Sequence, residues 1–87
     1  MNFDTMDFDE LDSIRRGVME HPRKFALRLF PTKPPHYVKT ANLLAVYASD
    51  RLLAMRFRAG GHIKDARKVE EELKRHYDKL PEYARWR

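Results

Sequence analysis

The segment from Tyr37 to Ala59 constrains the fold more than any other part of the chain. A proline-rich stretch, residues 31–36, precedes it and Gly60-Gly61 follows it, so residues that interrupt helices define both of its ends. At helical spacing its apolar side chains fall on two opposite sides rather than on one. One stripe comprises Tyr37, Ala41, Leu44, Ala48, Leu52 and Met55, and the other comprises Leu43, Val46, Tyr47, Leu53, Ala54 and Phe57. A helix with two apolar sides needs cover on both sides, which predicts that this is the central helix of the fold.

The remaining periodic segments predict three further helices. Residues 62–80 carry one apolar stripe and a charged outer face, which is typical of a helix packed on one side. Apolar residues three and four apart predict a helix over residues 8–20, and a shorter one over residues 22–30 between two prolines. The sequence therefore predicts an all-α fold, in which two shorter N-terminal helices pack on a long antiparallel two-helix hairpin formed by residues 37–59 and 62–80.

The two stripes of the central helix predict how the helices pack. The small side chains of Ala41, Ala45 and Ala48 favour close approach of another helix, and we predict that the fourth helix packs there. The opposite stripe then needs a different cover, either the two N-terminal helices or a second copy of the chain. A chain this short buries only about 60% of its extended surface, so we expect a homodimer. The candidate partner or dimer face consists of Leu43, Val46, Tyr47, Asp50, Leu53 and Phe57.

The length of the chain predicts one helical domain spanning residues 1–87. Residues 1–7 precede the first helical pattern and are predicted to form a flexible arm. Residues 82–87 form a short basic-aromatic tail after Pro81. Because Trp and Arg are enriched at binding hot spots, this tail is a candidate contact surface, formed by Tyr83, Arg85, Trp86 and Arg87. The alternative is that its two aromatic residues, three apart, fold back and cap the open end of the hairpin.

Charge is distributed unevenly along the chain. The formal net charge is +5 at pH 7, yet residues 1–12 contain five acidic residues and no basic one. Basic residues then cluster in the first two predicted helices and the connector: Arg15, Arg16, Arg23, Lys24, Arg28 and Lys33. Such a cluster can neutralise the phosphates of a nucleic acid or contact an acidic protein partner. The alternative is that these side chains cover the hairpin with their apolar stems, or pair with the acidic N-terminus.

Residue patterns that support catalysis or metal binding are missing from the sequence. The chain has no cysteine, and its four histidines, His21, His36, His62 and His76, are not spaced as metal ligands on a helix. Neither serine has the glycine-flanked context of a nucleophile, and Gly60-Gly61 lacks the lysine and serine of a phosphate-binding loop. We therefore expect no catalytic residue, no metal, no cofactor and no enzymatic activity.

Two further patterns concern location. The most apolar segment, residues 41–48, is followed after Ser49 by Asp50 and Arg51, so no membrane-spanning helix is expected. The acidic N-terminus does not resemble a signal peptide, which favours a cytoplasmic location.

These observations together favour one class of function and leave a second open. The expected function is a protein-interaction or assembly module, of the accessory kind common among small bacterial and phage proteins. The alternative is a basic nucleic-acid-binding or transcription-modulating protein with low sequence specificity. Neither the partner nor the biological process follows from the sequence.

Overall fold

The computed structural model describes residues 1–87, and all of its regular structure is helical. Helix α1 spans Phe8–Glu20, α2 spans Pro22–Leu29, α3 spans Tyr37–Ala59 and α4 spans Ile63–Asp78, and a 3₁₀ turn covers Glu82–Ala84. The prediction of an all-α fold built on a long two-helix hairpin is confirmed.

Local sequence signals account for the ends of these helices. The carboxylate of Asp7 accepts a hydrogen bond from the backbone N–H of Glu10 at 2.9 Å, which caps α1. Pro22 occupies the first position of α2, where a missing N–H leaves no hydrogen bond unmade. Gly61 has a φ of 81°, a left-handed conformation that glycine adopts without strain, and it allows α4 to fold back along α3.

Helices α1 and α2 pack on the alanine side of α3. Ala41 and Ala45 form a small buried cluster with Val18 of α1 and Ala26 of α2. The prediction that α4 packs at the alanines is therefore wrong for Ala41 and Ala45, whereas Ala48 lies in the buried cluster that α4 enters. The small residues do permit close helix approach, but it is the N-terminal helices that approach.

Close approach between α1 and α2 depends on Gly17. A Cβ atom at this position would lie 2.2 Å from a carbon of the Phe25 ring. The absence of a side chain in the middle of α1 therefore makes room for that ring, which packs against the cluster of Val18 and Ala26. The glycine lowers helix propensity but permits a tight crossing of two consecutive helices.

Helix α4 packs on the other side of α3. The Nε2 atom of His76 lies 2.7 Å from the Oδ2 atom of Asp50, and Arg58 forms two hydrogen bonds with Glu70. The apolar side of α4 enters the larger of the two buried clusters, which includes Leu44, Tyr47, Ala48, Leu52, Leu73, Tyr77 and Leu80. Of the α3 residues in this cluster, Leu44, Ala48 and Leu52 belong to the first apolar stripe and Tyr47 belongs to the second.

The N-terminal residues are packed rather than forming the predicted flexible arm. Phe3 is 0% exposed and stacks on Trp86 with ring centroids 5.3 Å apart. Tyr47 meets both rings edge-on, at 6.1 Å from Phe3 and 5.0 Å from Trp86. Aromatic pairs in these geometries are stabilising beyond their buried area. One aromatic ring near each end of the chain is therefore held against the middle of α3.

Asp4 joins the same two segments through polar contacts. Its carboxylate accepts hydrogen bonds from the Tyr47 hydroxyl at 2.6 Å, the Trp86 indole at 3.0 Å and the Arg87 guanidinium at 2.7 Å. Its backbone carbonyl accepts another from Arg51 at 2.7 Å. We refer to these contacts, together with the packed rings of Phe3, Tyr47, Tyr77 and Trp86, as the terminal clasp.

The terminal clasp changes the pKa of the Asp4 carboxyl. Partial burial raises the pKa of its carboxyl, but hydrogen bonds from Tyr47, Trp86 and Arg87 outweigh that effect and lower the pKa below the range usual for an aspartate. Burial, together with the neighbouring Asp4 charge, raises the pKa of the Tyr47 hydroxyl. Asp4 is therefore stabilised in its charged form, and Tyr47 remains a hydrogen-bond donor.

The molecule is flat and has more surface than its mass requires. Its principal dimensions are 41 × 24 × 17 Å, and the accessible surface is 5901 Å². A folded monomer of 10.4 kDa is expected to expose about 5,400 Å². Because α1 and α4 flank α3 and the terminal clasp covers only one side of it, the opposite side of α3 is left open.

Candidate interaction surface

The uncovered side of α3 carries residues that recur four and three positions apart: Asn42, Val46, Ser49, Leu53 and Arg56. Val46 is 44% exposed and Leu53 is 40% exposed. Met19, near the end of the neighbouring α1, is 68% exposed. We refer to this surface, with Met19 at its edge, as the open face of α3.

A groove runs along the open face between α3 and α1. One cavity of about 360 Å³ is lined by Arg15, Ser49, Asp50, Leu52, Leu53 and Arg56. A second, of about 350 Å³, is lined by Val18, Met19, Asn42, Ala45, Val46 and Ser49. Ser49 lines both, so the two cavities adjoin. Mixed apolar and polar lining of this kind suits side chains that project from another helix.

The charged side chains along the groove have intramolecular contacts. Arg15 lies 2.7 Å from the carboxylate of Asp12, and the hydrogen bond between them lowers the pKa of Asp12. Asp50 is held by His76, and the guanidinium of Arg56 lies over the ring of an α1 phenylalanine at 5.4 Å. The groove thus presents charges of both signs in fixed positions.

The predicted partner face is divided by the structure. Val46 and Leu53 lie on the open face, as a partner surface requires. Tyr47 is 1% exposed and belongs to the terminal clasp, which corrects its assignment to a partner face. Its position on the helix turns the ring toward Phe3 and Trp86, whose contact with α3 has no local signal in the sequence.

The other three members of that predicted face lie at its margin: Leu43, Asp50 and Phe57. Leu43 packs against the larger buried cluster. Phe57 is half-buried and meets the ring of His62 edge-on at 6.2 Å. Asp50 is bound by His76 at 2.7 Å and lines the groove, whereas Leu43 and Phe57 do not line either of its cavities.

Sequence reasoning missed the midline of the open face and its exposed edge. Asn42, Ser49 and Arg56 recur at seven-residue intervals, which places them along one line of α3. That polar line is the available signal for the solvent side of the helix. Met19 stands about three helical turns after Phe8, at the edge of the apolar stripe of α1, and its exposure depends on how α1 lies against α3.

The C-terminal tail is engaged within the chain. The Tyr83 hydroxyl donates to the Pro35 carbonyl at 2.7 Å, and Arg85 donates to the carbonyls of Leu80 and Asp78 near the end of α4. Trp86 and Arg87 belong to the terminal clasp. The contacts therefore match the alternative in which the tail folds back on the hairpin.

The predicted basic cluster separates into two groups. Arg15 and Arg16 both form ion pairs with Asp12 at 2.7 and 3.1 Å. The other four side chains are exposed and form no ion pair: Arg23, Lys24, Arg28 and Lys33. With Lys39 in the first turn of α3, these four make up what we term the basic end of the molecule.

No group of three or more His, Asp or Glu side chains is placed to hold a metal ion. None of the helices combines the length and the apolar character needed to cross a bilayer. Comparison with protein-family models, with curated proteins and with solved structures finds no match to this chain.

Proposed function

We propose that this protein is a non-enzymatic interaction and assembly module that binds its partner through the open face of α3. We further propose that the first partner is a second copy of the chain, so that the working unit is a homodimer. The observation that carries this proposal is the groove beside Val46 and Leu53, which leaves one side of the central helix uncovered.

The shape of the molecule supports a second copy as the cover. Helical domains usually bury their apolar sides between two packed layers, whereas this chain is 17 Å thick along its shortest dimension. Its surface exceeds the expectation for its mass by about 500 Å². A stable interface buries about 800 Å² on each partner, so the proposed dimer has to bury an area of that order along α3 and the edge of α1.

The spacing of the exposed apolar residues suits a two-fold arrangement. In an antiparallel pair of α3 helices that cross near Ser49 and Asp50, Val46 of each copy lies level with Leu53 of the other. Ser49 is small enough for the helix axes to approach to about 8–10 Å. Because the groove carries both arginine and aspartate, its charges do not oppose a contact between identical surfaces.

The proposal is tested by a disulfide at the crossing point, which is straightforward because the chain has no cysteine. In the proposed dimer of Ser49→Cys, the Cα atoms of the two cysteines lie within about 7 Å of each other, the largest separation that a disulfide tolerates. We expect mild oxidation at micromolar concentration to convert most of this variant into covalent dimers. Lys68→Cys, at an exposed position of α4, is the matched control and is expected to stay monomeric.

Equal rates of covalent dimer formation in the two variants would contradict a specific contact along α3. So would the absence of covalent dimers from Ser49→Cys. Circular dichroism of both reduced variants establishes that the helical fold is retained. A difference in the rate of covalent dimer formation then reports only how close the two cysteines lie in the dimer.

A further inference from the structure

A long stretch of the chain contains no acidic residue. No Asp or Glu occurs between Glu20 and Asp50, whereas this stretch contains the five basic residues of the basic end and two histidines. In the fold it forms α2, the proline-rich connector and the first half of α3. Because no carboxylate pairs with these five side chains, their charge faces solvent at one end of the molecule.

The basic side chains are presented on a fixed backbone. Helix α2 turns Ala26 inward against α3 and α1, and its outer side exposes three cations: Arg23, Lys24 and Arg28. The guanidinium of Arg28 lies 5.9 Å from the centre of the Phe25 ring. In the connector, Lys33 has a φ of 51° between turns that flanking prolines stiffen.

A neighbouring cavity extends this surface to α4. It measures about 220 Å³, and its lining includes His36, Lys39, Thr40 and Lys79 but no carboxylate. Lys39 lies in α3 and Lys79 directly follows α4, so the cavity carries positive charge from two separate segments of the chain. An anionic chain can therefore follow the surface from the outer side of α2 toward the end of α4.

We infer that the basic end binds the sugar-phosphate backbone of nucleic acid, with little preference for sequence. Arginine pairs with phosphate through two parallel hydrogen bonds, and both arginines of this end are free to do so. Low specificity follows because α2 has no Asn, Gln or Ser with which to contact base edges. This binding is independent of the proposed dimer, since the basic end and the open face involve different residues.

The exposed composition of α2 disfavours a membrane surface as the ligand. Helices that lie in a membrane interface bury a broad apolar face in the lipid. Here Ala26 and Phe30 are buried within the protein, and Leu27, at 40%, is the most exposed large apolar side chain of α2. The basic end thus carries positive charge but has no broad apolar surface that could insert into a lipid bilayer.

The inference is tested by measuring affinity for a random-sequence DNA duplex as a function of salt. Each phosphate neutralised contributes a slope of about −0.9 to log K against log salt, so five cations set a limit of about −4.5. Lys24→Gln/Arg28→Gln is expected to weaken binding at least tenfold at low salt (about 50 mM) and to make the slope shallower by about 2. The matched control is Lys64→Gln/Lys68→Gln, which removes two exposed charges from α4 and is expected to change neither quantity appreciably.

Three results would overturn the inference. One is the absence of duplex binding by the unmodified protein at low salt. Another is an equal loss in the two double variants, which would indicate a response to net charge alone. The third is binding to phosphatidylserine vesicles or to polyglutamate that is as tight as binding to the duplex.

Discussion

Replacing Trp86 by alanine is expected to lower the free energy of unfolding by about 3–5 kcal/mol. The indole is packed among three aromatic rings, with centroids 5.3 Å from Phe3, 5.0 Å from Tyr47 and 4.8 Å from Tyr77. Truncation removes all three contacts and leaves a cavity where the two ends of the chain meet α3. Since a chain of this length has about 4–13 kcal/mol of stability in total, the variant should melt at least about 12 °C lower.

Thermal and chemical denaturation measure this effect, and Trp86→Phe serves as the graded control. Phenylalanine keeps one aromatic ring at this position but loses the second ring of the indole and the N–H that donates to Asp4 at 3.0 Å, so a smaller loss of about 1–2 kcal/mol is expected. A change below about 1 kcal/mol in Trp86→Ala would indicate that the tail does not pack. In that case the C-terminal tail would again be a candidate contact surface for a partner.

Replacing Asp4 by asparagine is expected to lower the free energy of unfolding by about 2–3 kcal/mol at neutral pH. The carboxylate accepts from Tyr47, Trp86 and Arg87, and an amide cannot accept from all of them while presenting its own N–H groups to the same donors. The partial exposure of the ion pair with Arg87 keeps the electrostatic share of this effect small.

The effect of Asp4 should depend on pH in a defined direction. Its pKa is lowered in the folded chain, so its contribution is fully present above the ordinary aspartate pKa, near 4, and is lost as the pH falls through the lower folded value. The difference in unfolding free energy between the wild type and Asp4→Asn should therefore shrink below about pH 4. A difference that stays constant from pH 7 down to the acid limit would show that the charge of Asp4 has no role in the clasp.

Local sequence signals were sufficient to predict the helices. Pro22, Pro31 and Gly60-Gly61 interrupt the chain, and the apolar repeats between them have the helical period, so α1 and α3 end where the patterns end. Such signals depend only on neighbouring residues. Their success in an all-helical chain follows from the short range of helical hydrogen bonds.

Those local signals could not predict which helix covers each apolar side of α3. Periodicity shows that Ala41 and Ala45 lie on an apolar side of α3, but it does not identify the helix that covers them, and α1 with α2 takes the place predicted for α4. The contact of Phe3 with Trp86 is harder still, because it joins residues at opposite ends of the sequence. Only the tertiary packing makes that contact possible.

The candidate surfaces were predicted only in part, because contacts between distant segments decide which residues remain exposed. Val46 and Leu53 lie on the predicted partner face and are exposed, whereas Tyr47 belongs to the core because a distant segment covers it. In the basic cluster, Arg15 and Arg16 lie within one helical turn of Asp12, a spacing that predicts ion pairs from sequence alone. Arg23 and Lys24 stand at the same spacing after Glu20, but the chain leaves the helix at His21 between α1 and α2, and no ion pair forms there.

The mass of the protein in solution, measured by light scattering over a wide concentration range, tests the central proposal most directly. We expect a mass that rises toward twice the 10.4 kDa of one chain, and a Leu53→Glu variant that keeps its helical content but stays at the mass of one chain. Leu53 is exposed, so a charge there should be tolerated by the monomer and rejected by an interface. A wild-type protein that remains at 10.4 kDa at millimolar concentration, or a Leu53→Glu variant that dimerises equally well, would contradict assembly through the open face of α3.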